Sequence, residues 1–229
     1  MMYKIGVMGH IILIVLMAIN VMGNKFDTEM ESKKFDLITF TTEDGGTIEA
    51  SLFEGGKDMA VVFAHGAIFN KESWYFLCEK LQSKEVTSLS IDFRGYGNSK
   101  KGSTNNMALD VLGVIAFLKE QGYKQIALVG GSMGGAATLN ALELKTDDLL
   151  TKVVLLSPAG SNGIKNNTIK KLFIVSKDEG LFARVQTSFD NSSPPKDLKI
   201  FEGTYHAQHM FKSDYAEELT QLIIDFLIK

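Results

Sequence analysis

The chain has 229 residues, which suits one domain with a sizeable core and leaves little for a second. Hydrophobic residues make up 45% and charged residues 22% of the sequence, a globular composition that excludes a disordered chain. The formal net charge is −3, and the absence of a lysine or arginine cluster argues against nucleic-acid binding. The single cysteine, Cys78, excludes an internal disulfide and is expected to be a small buried side chain.

The first 23 residues differ in kind from the rest. Lys4 precedes an apolar core from Ile11 to Ile19, and this pattern resembles a secretory signal peptide or a membrane anchor. A spanning helix needs about 20 apolar residues, and only the longer stretch from Ile5 to Met22 approaches that length. We expect export to the periplasm or medium with cleavage near residue 23, and an uncleaved N-terminal membrane anchor is the alternative. Residues 24–34 are polar and charged, which predicts a linker.

The elements that follow the linker predict an α/β fold. Phe35 to Phe40 and Thr47 to Phe53 flank a turn and are predicted to form a hairpin. From Met59 onward, apolar runs typical of buried strands alternate with helical stretches. This alternation predicts a mostly parallel central sheet with helices on both faces over residues 35–229. The strands are predicted at 59–64, 86–92, 126–129, 152–157, 171–176 and 198–203, and the helices at 74–81, 107–120, 136–144, 181–189 and 215–228.

The glycine-rich stretch from Gly130 to Gly135 joins a predicted strand to a predicted helix with almost no loop. The apex residue of such a junction is pushed toward a left-handed backbone conformation, and its neighbours must have very small side chains or none. A phosphate-binding loop is excluded because no lysine follows Gly135, and a dinucleotide-binding loop because Ser132 or Met133 occupies the place of its second glycine. The pattern Gly-x-Ser-x-Gly, with Ser132 at its centre, resembles the nucleophile elbow of the α/β-hydrolase family.

In open parallel sheets ligands bind beyond the carboxyl ends of the strands, so residues at those ends are candidates for chemistry. Ser132, Asp178 and His206 follow three of the predicted strands, in the order serine, acid, histidine that α/β-hydrolases use. A serine hydroxyl becomes a strong nucleophile when a base takes its proton, and a third group orients that base. The resemblance therefore implies that Ser132 is the nucleophile and His206 the base.

The acid follows one of two strands in this family. The stretch "LLSPAGSNG" after the first of them contains no carboxylate, whereas "IVSKDEG" after the second contains Asp178 and Glu179. We choose Asp178 because it comes first in the turn, where the family pattern places the acid. Its alternative role is a cap for the following helix.

Two histidines, His206 and His209, follow the last predicted strand. The family pattern places the base at the first of them, and His209 is expected to pack or form a hydrogen bond nearby. A zinc site at this pair would need further ligands, and no Cys, Asp or Glu lies at ligand spacing. We therefore expect neither a metal nor an organic cofactor.

The resemblance also implies an oxyanion hole, in which backbone N–H groups stabilise the negative charge of a tetrahedral intermediate. Its donors would be Met133, after the nucleophile, and Ala67, after the pair His65-Gly66. His65 would shape this loop and not act as a base. The loop "IDFRGYGNS" from Ile91 to Ser99 is also family-like, and its charged residues are expected to organise it.

Only the short segment "PAGSNGIKNNTIK" separates the strand that ends at Ser157 from the next, too little for a helical cap domain. An uncapped site suits a small-molecule ester or an acyl group on a carrier. Candidate walls of the substrate pocket are apolar, although each could equally belong to the core: Ile68, Phe69, Met133, Phe182 and Phe211.

The sequence thus predicts a serine hydrolase that cleaves carboxylic ester or thioester bonds through an acyl-enzyme on Ser132. Two alternatives stay open, a serine peptidase of the same fold and a non-catalytic binding protein on a hydrolase fold. A dehalogenase is excluded because such enzymes typically carry aspartate at the elbow. No nucleic-acid partner is expected, and membrane contact is expected only through an uncleaved N-terminal segment.

Overall fold

The computed structural model describes residues 34–229. The predicted signal peptide or anchor, and all of the predicted linker except Lys34, lie outside the described residues, so their assignment stays a prediction. Over residues 34–229, no helix is both long enough and apolar enough to cross a membrane.

An eight-stranded sheet forms the centre of the described part of the chain. Its strands are β1 (Asp36–Thr41), β2 (Thr47–Phe53), β3 (Gly56–Ala64), β4 (Val86–Ile91), β5 (Gln125–Gly131), β6 (Leu150–Leu156), β7 (Lys170–Ser176) and β8 (Lys196–Phe201). They lie in the order β1-β2-β4-β3-β5-β6-β7-β8. β1 and β2 form the predicted antiparallel hairpin, and β2 pairs antiparallel with β4. All pairings from β4 through β3 to β8 are parallel, which confirms the predicted mostly parallel sheet.

Helices cover both faces of the sheet, as predicted. The α-helices are α1 (Tyr75–Gln82), α2 (Ala108–Glu120), α3 (Met133–Leu144), α4 (Phe182–Asp190) and α5 (Ala216–Ile228), and two short 3₁₀ helices span Lys71–Trp74 and Ala207–Lys212. Successive strand side chains point to opposite faces, so β5 divides its apolar residues between two clusters. Leu128 packs with residues of α2 and α3 on one face, and Val129 packs with residues of α1 and α5 on the other.

The parallel strands all end at one edge of the sheet, where the loops after β3, β5, β6, β7 and β8 meet. Residues 157–169, between β6 and β7, contain no helix or strand, which confirms the absence of a cap domain at this position. The β5 strand is buried along nearly its whole length, so the residue that follows it is held by the core of the sheet. This edge carries the candidate site.

Candidate active site

Ser132 occupies the junction between β5 and α3 in a strained backbone conformation, with φ 51° and ψ −111°. Its own N–H donates to Leu156 O at 2.9 Å, and its carbonyl accepts from the N–H groups of Ala136 and Ala159, both at 3.0 Å. A Cβ atom at Gly134 would lie 2.2 Å from the carbonyl oxygen of Ala64, so this neighbour must be glycine. The tight strand-to-helix junction predicted from the glycines is therefore present, and it leaves Ser132 half-buried at the sheet edge.

His206 lies beside the serine, immediately before the 3₁₀ helix Ala207–Lys212. Its Nε2 is 2.8 Å from Ser132 Oγ, and its Nδ1 is 2.5 Å from Oε2 of Glu179. A carboxylate only accepts hydrogen bonds, so Nδ1 carries the proton and Nε2 accepts from the serine hydroxyl. The imidazole thus has the tautomer that a general base needs.

The structure brings Glu179, and not Asp178, to His206, so the choice of Asp178 as the acid is wrong in this geometry. The Asp178 side chain is exposed, whereas the Glu179 side chain is only 2% exposed. The N–H of Asp178 donates to Gly203 O at 3.0 Å, which holds the turn against the end of β8 and directs the next side chain inward. Glutamate then reaches the imidazole from the second position of the turn.

The other oxygen of Glu179 is held by the ends of two strands. Oε1 accepts a short hydrogen bond from the Ser157 hydroxyl and a second, of 3.2 Å, from the Ser176 N–H. The Ser157 hydroxyl oxygen also accepts from the N–H of Ala207, at 3.2 Å. Ser157 and Ala207 have positive φ angles of 45° and 46°, a conformation that costs energy in residues other than glycine. Sequence reasoning placed Ser157 at a strand end but did not find this contact.

The predicted oxyanion-hole donors come from the residue after Ser132 and from the loop after β3. Met133 begins α3, so its N–H is one of the free donors of a helix N-terminus, and Ala67 lies on an exposed loop after β3. Among the described residues, neither N–H donates to a protein acceptor. The Tyr96 hydroxyl donates to Ala67 O at 3.0 Å and lies 3.6 Å from Met133 Sδ, so one side chain contacts both segments.

His65 supports this loop from beneath and is fully buried. Its Nε2 accepts from the Phe93 N–H at 3.2 Å, so Nδ1 carries the proton and donates to Gly66 O at 2.8 Å. Burial lowers the pKa of His65, against smaller opposing effects from Gly66 and Asp92. A neutral histidine with both nitrogens engaged fits the predicted structural role.

Two buried ionic networks organise the neighbouring loops, as predicted for the charged residues of the Ile91–Ser99 stretch. Asp92 accepts from the Lys71 backbone N–H at 2.8 Å and from Lys71 Nζ at 2.5 Å. Arg94 pairs with Asp110 and Asp44, each at 2.7 Å. Hydrogen bonds from Arg94 hold the pKa of Asp44 far below its usual range, whereas burial raises the pKa of Asp110.

The candidate pocket residues fall into two groups. Ile68 is 77% exposed beside Ala67, and the half-buried Phe69 contacts the His209 ring at 5.1 Å between centroids. Phe211 packs on Phe76 at 4.9 Å, and Phe182 packs against the cluster of α2 and α3, so both contribute to packing. No group of three or more His, Cys, Asp or Glu side chains suited to a metal occurs in residues 34–229.

A family model described as the alpha/beta hydrolase fold matches residues 59–173, half of the chain. The chain belongs to the α/β-hydrolase fold family. That match runs from within β3 to within β7 and includes the serine elbow, while Glu179 and His206 lie beyond it.

Sequence relatives within the α/β-hydrolase family are distant. The uncharacterized hydrolase YugF of Bacillus subtilis is 31% identical over 124 residues, 52% of this chain and 44% of that protein. The putative esterase/lipase 3 of Mycoplasma pneumoniae is 30% identical over 158 residues, 64% of this chain and 54% of that protein. The chain thus spans about half the length of the curated relatives it matches.

Solved α/β-hydrolase structures share the fold. An esterase from Exiguobacterium antarcticum superposes with a TM-score of 0.70 over 84% of this chain and 99% of that one, at 16% identity. The esterase Pf2001 of Pyrococcus furiosus gives a TM-score of 0.71 over 84% and 89% of the two chains, at 18% identity. At these identities the likeness concerns the architecture alone.

Proposed function

We propose that the protein is a serine hydrolase that cleaves carboxylic ester or thioester bonds through an acyl-enzyme on Ser132. The observation that carries this proposal is the continuous hydrogen-bonded chain from Ser132 Oγ through His206 to Glu179, with 2.8 Å and 2.5 Å contacts at the two imidazole nitrogens. Such a chain activates a hydroxyl that is otherwise a weak nucleophile. The relatives named as a hydrolase and an esterase/lipase support the same reaction class.

Acylation begins when Ser132 Oγ attacks the carbonyl carbon while His206 Nε2 takes the hydroxyl proton. The imidazolium that forms is stabilised by the Glu179 carboxylate at Nδ1. The carbonyl oxygen becomes an oxyanion, and the free N–H groups of Ala67 and Met133 are its donors. Collapse of the intermediate breaks the bond to the alcohol or thiol, which receives the proton from His206.

Deacylation repeats these steps with water as the nucleophile. His206 removes a proton from water as the water oxygen attacks the acyl carbon bound to Ser132 Oγ. It then returns a proton to Ser132 Oγ as the ester bond to the enzyme breaks. The products are one carboxylic acid and one alcohol or thiol, and the enzyme is regenerated. Besides the substrate and water, every group in this cycle is a side chain or backbone group of the chain itself.

The openness of the site supports a small-molecule ester or an acyl group on a carrier as the substrate. The side chain of His206 is 36% exposed, and the adjoining loop presents Ile68 to solvent. The missing cap leaves space for a bulky leaving group, and the apolar surface of Ile68 and Phe69 suits a short acyl chain.

Labelling of the full chain with a fluorophosphonate, followed by mapping of the adduct, tests the proposed nucleophile. The same sample is assayed with p-nitrophenyl esters of increasing acyl length, beside Ser132→Ala and His206→Ala. We expect the adduct on Ser132 and loss of turnover in both variants. If the folded wild-type protein shows neither labelling nor turnover, the proposed hydrolase activity is refuted, and a non-catalytic binding protein with this fold is supported.

A further inference from the structure

The carboxamide of Gln208 is buried behind the proposed site and joins three separate segments. Gln208 is 5% exposed and lies two residues after His206, in the 3₁₀ helix Ala207–Lys212. Its Oε1 accepts from the Gly66 N–H at 3.0 Å, and its Nε2 donates to Ser73 Oγ at 2.8 Å. One side chain therefore ties the segment of the base to the loop that carries Ala67.

Two glycines make room for this amide. A Cβ at Gly131, directly before the nucleophile, would lie 2.7 Å from Gln208 Oε1. A Cβ at Gly66 would lie 3.0 Å from the same oxygen and 3.4 Å from the Cβ of Ser132. The amide oxygen thus occupies a space between the end of β5 and the loop after β3, and a Cβ at either glycine would press on it.

The loop after β3 is exposed at Ala67 and Ile68 and is held on either side of them. The Tyr96 hydroxyl donates to Ala67 O, and the Phe69 ring contacts the His209 ring. Gly66 is held at both ends, because its N–H donates to Gln208 and its carbonyl accepts from His65 Nδ1. An oxyanion donor is effective only if its direction is fixed before the charge develops. The Ala67 N–H shares a peptide plane with the Gly66 carbonyl, which accepts from His65 Nδ1 at 2.8 Å. Its direction therefore depends on the whole Gly66 backbone, and Gln208 holds the N–H end of that residue.

We propose that Gln208 is a positioning residue for the oxyanion hole, which fixes the Gly66 backbone so that the Ala67 N–H is aimed at the oxyanion. This inference rests on the proposed serine-hydrolase function. Gln208 does not touch the reacting atoms. It acts through Gly66, and it couples the position of the oxyanion donor to that of His206.

The test compares Gln208→Leu and Gln208→Glu in the full chain, with Gln221→Leu as the matched control. Gln221 is exposed on α5, where its amide donates to Asp225 at 2.8 Å, so it gives the same chemical change outside the candidate site. Leucine at 208 removes the acceptor for the Gly66 N–H. Glutamate retains an accepting oxygen but places a negative charge near the developing oxyanion when ionised.

We expect Gln208→Leu to lower kcat for p-nitrophenyl butyrate about 10²-fold with KM nearly unchanged, because the lost interaction matters in the transition state. For Gln208→Glu, the ratio of its activity to that of wild type should rise as the pH falls, because the carboxylate is neutralised. A purely structural role would not produce this pH profile. Melting curves identify any variant that is unfolded. If Gln208→Leu does not fold, the pH profile of Gln208→Glu still tests the proposal.

Wild-type kinetics in a folded Gln208→Leu variant, or a Gln208→Glu to wild-type activity ratio that does not change with pH, would overturn the positioning role and leave the serine hydrolase intact. Absence of ester turnover and fluorophosphonate labelling in the wild-type chain would overturn both.

Discussion

Both oxygens of the Glu179 carboxylate are engaged, and Oε2 lies 2.5 Å from Nδ1 of His206. Oε1 is held by the Ser157 hydroxyl and the Ser176 N–H, at the ends of β6 and β7. A carboxylate fixed at one oxygen presents the other in a defined direction, which orients the imidazole and selects its tautomer. The placement of the His206 imidazole therefore depends on the ends of the strands that precede it in the chain.

The two neighbouring carboxylates give a matched test of this arrangement. Glu179→Gln removes the charge at His206 Nδ1, and we expect kcat/KM for a p-nitrophenyl ester to fall about 10³-fold or more, because the tautomer and the imidazolium lose their support. Asp178→Asn changes an exposed side chain and should stay within about two-fold of wild type. The measurement is steady-state ester hydrolysis at neutral pH.

A large loss of kcat/KM in Asp178→Asn, together with a kcat/KM near that of wild type in Glu179→Gln, would reverse the assignment of the acid. Thermal melts of both variants show whether any loss of rate reflects unfolding.

The sequence predicted those parts of the fold and site that local patterns determine. The strands, the helices and the glycine elbow each depend on residues close together in the chain, and the structure has them within a few residues of the predicted bounds. The choice between Asp178 and Glu179 depends on a backbone bond from the turn to Gly203 beyond β8, which no local pattern reveals. Gln208 contacts Gly66 from 142 residues away, so sequence spacing gave no sign of it.

Ser157 should contribute to both activity and stability through its hydroxyl. Ser157→Ala keeps the Cβ but removes the donor to Glu179 Oε1 and the acceptor of the Ala207 N–H. We expect kcat/KM to fall about 10-fold or more and the free energy of unfolding to fall by about 1–3 kcal/mol, since buried polar groups lose their partners. Ser161→Ala, at an exposed position of the same loop, is the control.

Urea unfolding and ester hydrolysis measure the two effects on the same samples. A Ser157→Ala protein with wild-type rate and stability would show that the Ser176 N–H alone suffices to hold Glu179.

The elbow also depends on a close approach of two backbones. An alanine at Gly134 would place its Cβ 2.2 Å from the Ala64 carbonyl oxygen, and backbone atoms of β3 cannot move away without disturbing the sheet. We expect Gly134→Ala to lose about 3 kcal/mol or more of unfolding free energy, or to fail to fold. At Gly180 nothing lies within 4 Å of the added atom, so Gly180→Ala should be neutral or slightly stabilising. Urea unfolding of wild type and both variants gives the free energies of unfolding that test this difference. Equal stability of the two variants would contradict the close approach of Gly134 to the Ala64 carbonyl oxygen.

His65 should make stability depend on pH. Its pKa is lowered from 6.5 mainly by burial, with Lys71 acting in the same direction and the Gly66 carbonyl and Asp92 opposing. Below pH 6.5 the unfolded chain therefore binds a proton at this site that the folded chain resists. The free energy of unfolding then falls as the pH falls through this range, because stability rises with pH wherever the unfolded state holds more protons.

His65→Gln removes this titration while retaining a polar side chain, at some cost in stability at every pH because the contacts to Gly66 and Phe93 change. Urea unfolding of both proteins between about pH 5 and pH 8 measures the two slopes. We expect the wild type to lose more stability than the variant on acidification, so that the two curves converge toward low pH. Parallel curves across the whole range would mean that His65 takes up its proton as readily in the folded protein as in the unfolded chain, and that its burial between Gly66 and Phe93 does not hold it neutral.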